Sequence, residues 1–340
     1  MKPQVPPPTA TGQSQAGAEP DLGAGEEVTR DIEVPWGLAF LPGGDALVAE
    51  RETGNVLQVP ARGGDAKEVA QVNGVQAAGE GGLLGLAVSP NYEQDSYVFA
   101  YFTAESDNRI VRFKLGGGDQ EVMFSGIIKA AYHNGGRIAF GPDGFLYVAT
   151  GDAGTAGSSQ DPASPNGKIL RLTADGKPAP GNPTAGSPVF SLGHRNVQGL
   201  AWDARGRLFA PEFGQNTYDE VNLIEPGKNY GWPVVEGNGD TENGKFTNPM
   251  VTWSTAESSP SGAAIAGNTL YVAALRGERL WTVPLNGGAP KPELQGKYGR
   301  IRTVAVAPDG ALWVTTSNRD GRGDVRDGDD RIIRYPARNS

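Results

Sequence analysis

Short apolar runs alternate with Pro/Asp/Gly turns along most of the chain, and one such phrase returns six times. The copies begin at Gly37 (GLAFLPGGDALV), Gly85 (GLAVSPNYEQDSYVFAYF), Arg137 (RIAFGPDGFLYVATGD), Gly199 (GLAWDARGRLFAPE), Ser261 (SGAAIAGNTLYVAAL) and Thr303 (TVAVAPDGALWVTTS). Each is an apolar run, a tight turn and a second apolar run, the pattern of a β-hairpin. The copies recur roughly every 40–60 residues, the period of propeller blades. Six copies predict an all-β chain: a six-bladed β-propeller whose four-stranded antiparallel blades surround a central channel. Propellers carry function on loops at the channel mouth, so the unusual loop residues become the candidates.

Composition narrows the class. The chain has 340 residues and a net charge of −9, with acidic and basic residues interspersed. A nucleic-acid partner would require a concentrated basic face, which is absent. No window holds the ~18 consecutive apolar residues of a membrane helix. There are no cysteines, which excludes disulfides and thiolate metal sites and fits an oxidising compartment. Residues 1–25 are rich in Pro, Gly, Gln, Ala and Thr without apolar periodicity and read as a disordered tether, leaving 26–340 as one propeller domain. No signal peptide is visible. The chain reads as a mature form with a start Met added, secreted or periplasmic, with the tether as an anchoring segment.

The two histidines, His133 and His194, interrupt the strand pattern just before hairpins, beside Arg and Asn. Asp152 ends the hairpin that His133 begins, and paired hairpin ends lie close together, so Asp152 is expected to reach His133. A carboxylate beside an imidazole orients a general base. Arg195, Arg276, Arg300 and Arg302 sit at or near blade edges. Arg300 and Arg302 share one strand face, where two cations repel unless an anion lies between them. The polar stretch Glu212–Leu223 offers carbonyls and neighbouring Asn, Asp and Glu to a hard cation such as calcium, without EF-hand spacing. A calcium-dependent lactonase-like hydrolase and a non-enzymatic binding propeller are the alternatives that this pattern leaves open.

Together GEGGLLG from Gly79, HNGGR from His133, GHRNVQGL from Gly193, DEVN from Asp219 and GKNYGWP from Gly227 resemble the soluble quinoprotein glucose/sorbosone dehydrogenase family. The resemblance runs from about Pro35 to Tyr335. It implies a six-bladed propeller that oxidises an aldose with pyrroloquinoline quinone (PQQ) and calcium, passing electrons to an external acceptor. By position it implies His133 as base, Asp152 as its supporting carboxylate, and Arg195 and Asn196 at the quinone end of PQQ. It likewise implies Arg276, Arg300 and Arg302 as partners of PQQ, and the carbonyls of Gly214 and Gln215 as calcium ligands. Three positions depart from the family pattern. Glu80 stands for a Gln near the substrate, Tyr132 for an Asp before the base, and Gln215 for a Pro; the first two bear on sugar identity.

Overall fold

The computed structural model describes residues 18–338. Its strands form six four-stranded antiparallel sheets, the blades of a propeller. Blade one spans 35–71, blade two 83–127, blade three 138–192, blade four 201–254 and blade five 260–293. Blade six combines 301–335 with Glu26–Thr29, whose strand pairs with Ile332–Tyr335 as the outermost of the four. The first strand thereby closes the ring on the last blade. Of the expected tether, residues 1–17 lie outside the described residues. Residues 18–25 lie along the other end of the chain, with Pro20 bridged to Ala337 and the Asp21 amide donating to Pro336.

The inner strands explain the repeating phrase. Leu146–Ala149 and Leu312–Thr316 are buried at every position, because blades stack face to face and cover both sides of an inner strand. Such strands read as continuous apolar runs. Outer strands such as Lys67–Gln71 and Lys291–Glu293 are largely exposed and polar. The glycine that opens several copies has a packing reason: a Cβ on Gly37 would strike the backbone of Leu84, and one on Gly85 that of Gly136. Aromatic pairs seal neighbouring blades. Phe40 meets Trp313 edge-on at 5.2 Å across the ring closure, and Trp253 stacks on Trp281 at 5.1 Å between blades four and five.

Two kinds of loop emerge on one face of this topology: links between successive blades, and links between the second and third strands of a blade. Glu80, His133, Arg195, Asn196 and Arg300 belong to the first kind, and Asp152, Gly214, Gln215 and Arg276 to the second. The nominated residues are thus gathered on one mouth of the channel. Register shifts recur where inner strands leave that mouth, between Pro35 and Leu38, Leu83 and Leu86, Pro260 and Ala263, and Ile301 and Thr303. Such bulges re-aim side chains next to sites. Among the described residues, no helix is long and apolar enough to cross a membrane.

Candidate active site

A cleft of about 530 Å³ opens on this mouth, a size usual for small-ligand sites. Its walls include Trp36, Arg51, Glu80, Gln198, Phe213, Arg276, Arg300, Arg302, Asp320 and Arg322. Five arginines and two carboxylates line the cleft, and although Arg51 also pairs with Glu52, the walls keep a cationic surplus in a chain whose net charge is −9.

Arg302 is the extra residue of the bulge at the start of the innermost strand of blade six, and Arg300 stands just before that strand. The anion between them is Asp320, whose Oδ2 lies 2.9 Å from Arg300 Nη2 and 3.3 Å from Arg302 Nη2. Burial pushes the Asp320 carboxyl up, but the two guanidinium groups outweigh it and hold the group below the usual carboxylate range. Arg302 also donates to Ser317 Oγ and Gln198 Oε1, and its guanidinium lies 5.8 Å from the Trp36 ring. Burial lowers it to about 10, which leaves it charged at neutral pH. Arg51 gives Nη2 to Glu52, while its buried Nε has no partner. Arg276 is exposed and lines the cleft.

His133 lies next to the cleft wall, beside Glu80. Its Nδ1 lies 2.7 Å from Asp152 Oδ1, and its side chain keeps 15% exposure. A carboxylate at Nδ1 holds the proton there and leaves the Nε2 lone pair outward, as a base requires. Asp152 is fixed in turn by the Gly154 amide and by Trp232 Nε1, both at 2.8 Å. Burial raises the Asp152 carboxyl, but bonds from His133, Gly154 and Trp232 outweigh it and keep the group ionised. A depressed carboxylate of this kind stabilises the fold above its unfolded pKa of about 4, and that contribution is lost as pH falls through the lower folded value. His133 itself has φ of 57°, an uncommon backbone for a residue with a side chain. Its amide donates to Glu80 Oε2 at 3.0 Å, and its carbonyl accepts from Ala153. A side chain on Gly151 would collide with that carbonyl. Glu80 Oε1 completes a chain across the mouth by accepting from Arg322 at 2.9 Å.

Arg195 continues the site on the far side of Asp152. Its carbonyl accepts the Asp152 amide, and its guanidinium lies 5.3 Å from the Trp232 ring. Nη1 donates to Gly214 O at 2.6 Å and Phe213 O at 3.3 Å, while Nε is buried without a partner. Burial lowers its pKa, against the opposing pull of Asp152 and other acids.

The expected residues are thus divided. Glu80, Arg276, Arg300 and Arg302 line the cleft, whereas His133, Asp152, Arg195 and Gly214 form an adjoining group. Tyr132 is exposed and meets the His133 ring edge-on at 4.6 Å. Asn196 is buried, and its amide oxygen accepts the Gly135 amide, bracing the His133 loop. Gln215 is exposed, and its amide faces Glu236. The second histidine is structural: His194 is fully buried between Glu212 Oε2 at 2.6 Å and Ser191 Oγ at 2.8 Å, stacked on Tyr230. Sequence reasoning missed Asp320, Arg51, Arg322, Trp232 and Glu236. Trp232 lay inside the GKNYGWP motif, and Asp320 in a polar tract after the last apolar run.

The chain's relatives can be set beside this geometry. The glucose/sorbosone dehydrogenase family pattern matches residues 32–332. The PQQ-bound aldose sugar dehydrogenase of Streptomyces coelicolor superposes with a TM-score of 0.88 at 52% identity, over 94% of this chain and 99% of its own. The aldose sugar dehydrogenase of Escherichia coli is 28% identical over 87% of this chain and 90% of its own length. Quinoprotein glucose dehydrogenase B of Acinetobacter calcoaceticus is 30% identical over 65% of this chain and 54% of its own. With a matched span of residues 32–332 that reaches into all six blades, the chain belongs to the glucose/sorbosone dehydrogenase family.

Proposed function

We propose that this chain is a PQQ-dependent dehydrogenase that oxidises the C1 hydroxyl of an aldose to the lactone. The observation that carries the reading is the excess of guanidinium groups in a cleft that adjoins an oriented histidine. PQQ is a flat tricarboxylate, an anion that a cleft with surplus guanidinium groups suits. The unpartnered Nε atoms of Arg51 and Arg195 are buried donors of the kind such an anion satisfies. The carbonyls of Gly214 and Gln215 suit calcium, a hard cation that takes backbone oxygens. When bound, PQQ supplies the hydride-accepting quinone, and calcium supplies Lewis acidity.

The chain's own part is positioning and proton transfer. His133 Nε2 would take the proton from the C1 hydroxyl oxygen as C1 gives up its hydride, which the quinone would accept when PQQ is bound, leaving the C1–O bond as the lactone carbonyl. Asp152 holds the ring and stabilises the resulting imidazolium. Arg276, Arg300 and Arg302 would hold the cofactor's carboxylates, and Arg195 and Asn196 would serve its quinone end. Glu80 and Tyr132, both beside His133, contact the sugar. An external acceptor collects the electrons. The enzyme acts outside the cytoplasm, a reading supported by the absence of cysteine and by the Pro/Gly/Gln-rich start. The hydrolase alternative needs side-chain carboxylate and Asn ligands converging on the axis, whereas the cleft gathers five arginines.

Protein stripped of cofactor and divalent ions should oxidise aldoses, with an artificial dye as acceptor, only after PQQ and calcium are restored. Magnesium should restore little, since it demands a smaller octahedral shell. Full activity with PQQ and no divalent ion would remove calcium from the reading.

A further inference from the structure

The segment 225–250 leaves the third strand of blade four, yet returns to the cleft face and delivers Glu236 under the turn 213–218. There one oxygen, Glu236 Oε1, accepts four successive backbone amides: Gln215 at 2.8 Å, Asn216 at 3.2 Å, Thr217 at 3.1 Å and Tyr218 at 3.1 Å. Successive amides converging on an anion form a nest.

The consequence follows from peptide geometry. In a planar trans peptide the N–H and the preceding C=O point in opposite directions. Drawing the Gln215 amide to Glu236 therefore turns the Gly214 carbonyl away from it, and drawing the Asn216 amide does the same to the Gln215 carbonyl. The Gly214 oxygen does meet a cation on that other side, Arg195 Nη1 at 2.6 Å. Donation to a carboxylate also polarises each peptide and makes its oxygen a stronger ligand. No side chain fits at Gly214, where a Cβ would collide with the Tyr218 carbonyl and stand 2.8 Å from Glu236 Oε1.

We propose that Glu236 is the positioning residue that presets and polarises the Gly214 and Gln215 carbonyls for a divalent cation. This rests on the calcium reading given above. Its test is calorimetric titration of calcium alone into the cofactor-free full chain. Loss of a partner behind a metal ligand commonly costs about 10–100-fold in metal affinity, and Glu236→Ala is expected to fall in that range. Glu236→Gln, which keeps a neutral acceptor, should fall between that variant and the parent, and it decides the question if the alanine variant does not fold. Asn216→Ala keeps every backbone bond and should bind as the parent does. A parent that binds no calcium would overturn both this role and the calcium reading. A parent that binds calcium, with Glu236→Ala within about twofold of it, would overturn the role of Glu236 alone.

Discussion

His133→Ala should reduce sugar oxidation by about 10²–10⁴-fold, the usual contribution of a positioned general base, while PQQ still binds. The separation of the two effects comes from the geometry. His133 is joined to Asp152 and, through its backbone, to Glu80; the cationic walls of the cleft are made by other residues. Backbone bonds at residue 133 survive the substitution, so the loop keeps its anchors. Asp152→Asn should slow turnover less. It removes the charge that stabilises the imidazolium and leaves an oxygen able to accept from Nδ1, and Trp232 still packs nearby. Steady-state rates with a dye acceptor, beside PQQ titrations of the same preparations, provide the check. Turnover of His133→Ala within about tenfold of the parent would sink its role as base.

Arg302→Ala should weaken PQQ binding by about 1.5–3 kcal/mol, which is about ten- to 150-fold in affinity. A charge-assisted bond from a buried guanidinium is worth that much, and Arg302 is buried in the cleft wall beside Trp36. The fold should survive, because Arg300 continues to hold Asp320 through Nε and Nη2. Arg302→Lys should recover only part of the loss, since an ammonium keeps the charge without the two-pronged geometry. Quenching of tryptophan emission by PQQ reports the affinity. An unchanged affinity in Arg302→Ala would mean that the cofactor carboxylates are held elsewhere.

The hydrophobic pattern revealed the propeller because inner strands, buried on both faces, write themselves as unbroken apolar runs. Phe140 and Leu146, either side of a GPDG turn, face each other in the register that the phrase suggests. Outer strands left no comparable trace. Glu26–Thr29 is short and begins with two exposed acids, and its partner strand lies at the opposite end of the chain, so ring closure was invisible. The His133–Asp152 pair was legible since both residues end one hairpin. The Arg300–Arg302 pair was legible through period two, together with its need for an anion. That anion, Asp320, sits in the 317–331 loop, where no periodicity fixes position. Trp232 and Glu236 were hidden for a related reason. They reach the mouth only because segment 225–250 returns to the cleft face, and backbone routing of that kind has no signature in local composition. Local company alone does not separate the two histidines: the same neighbouring Arg and Asn accompany His194, whose ring is sealed between Glu212, Ser191 and Tyr230.

The central claim joins one cleft, one cofactor and one base. Its most direct test is anaerobic rapid mixing of an aldose with the chain preloaded with equimolar PQQ and calcium, followed by the absorption of the oxidised quinone. The account predicts a single-turnover loss of that absorption in the parent and its persistence in His133→Ala carrying the same amount of PQQ. An absorption that sugar leaves unchanged in the parent, across a panel of aldoses, would contradict it.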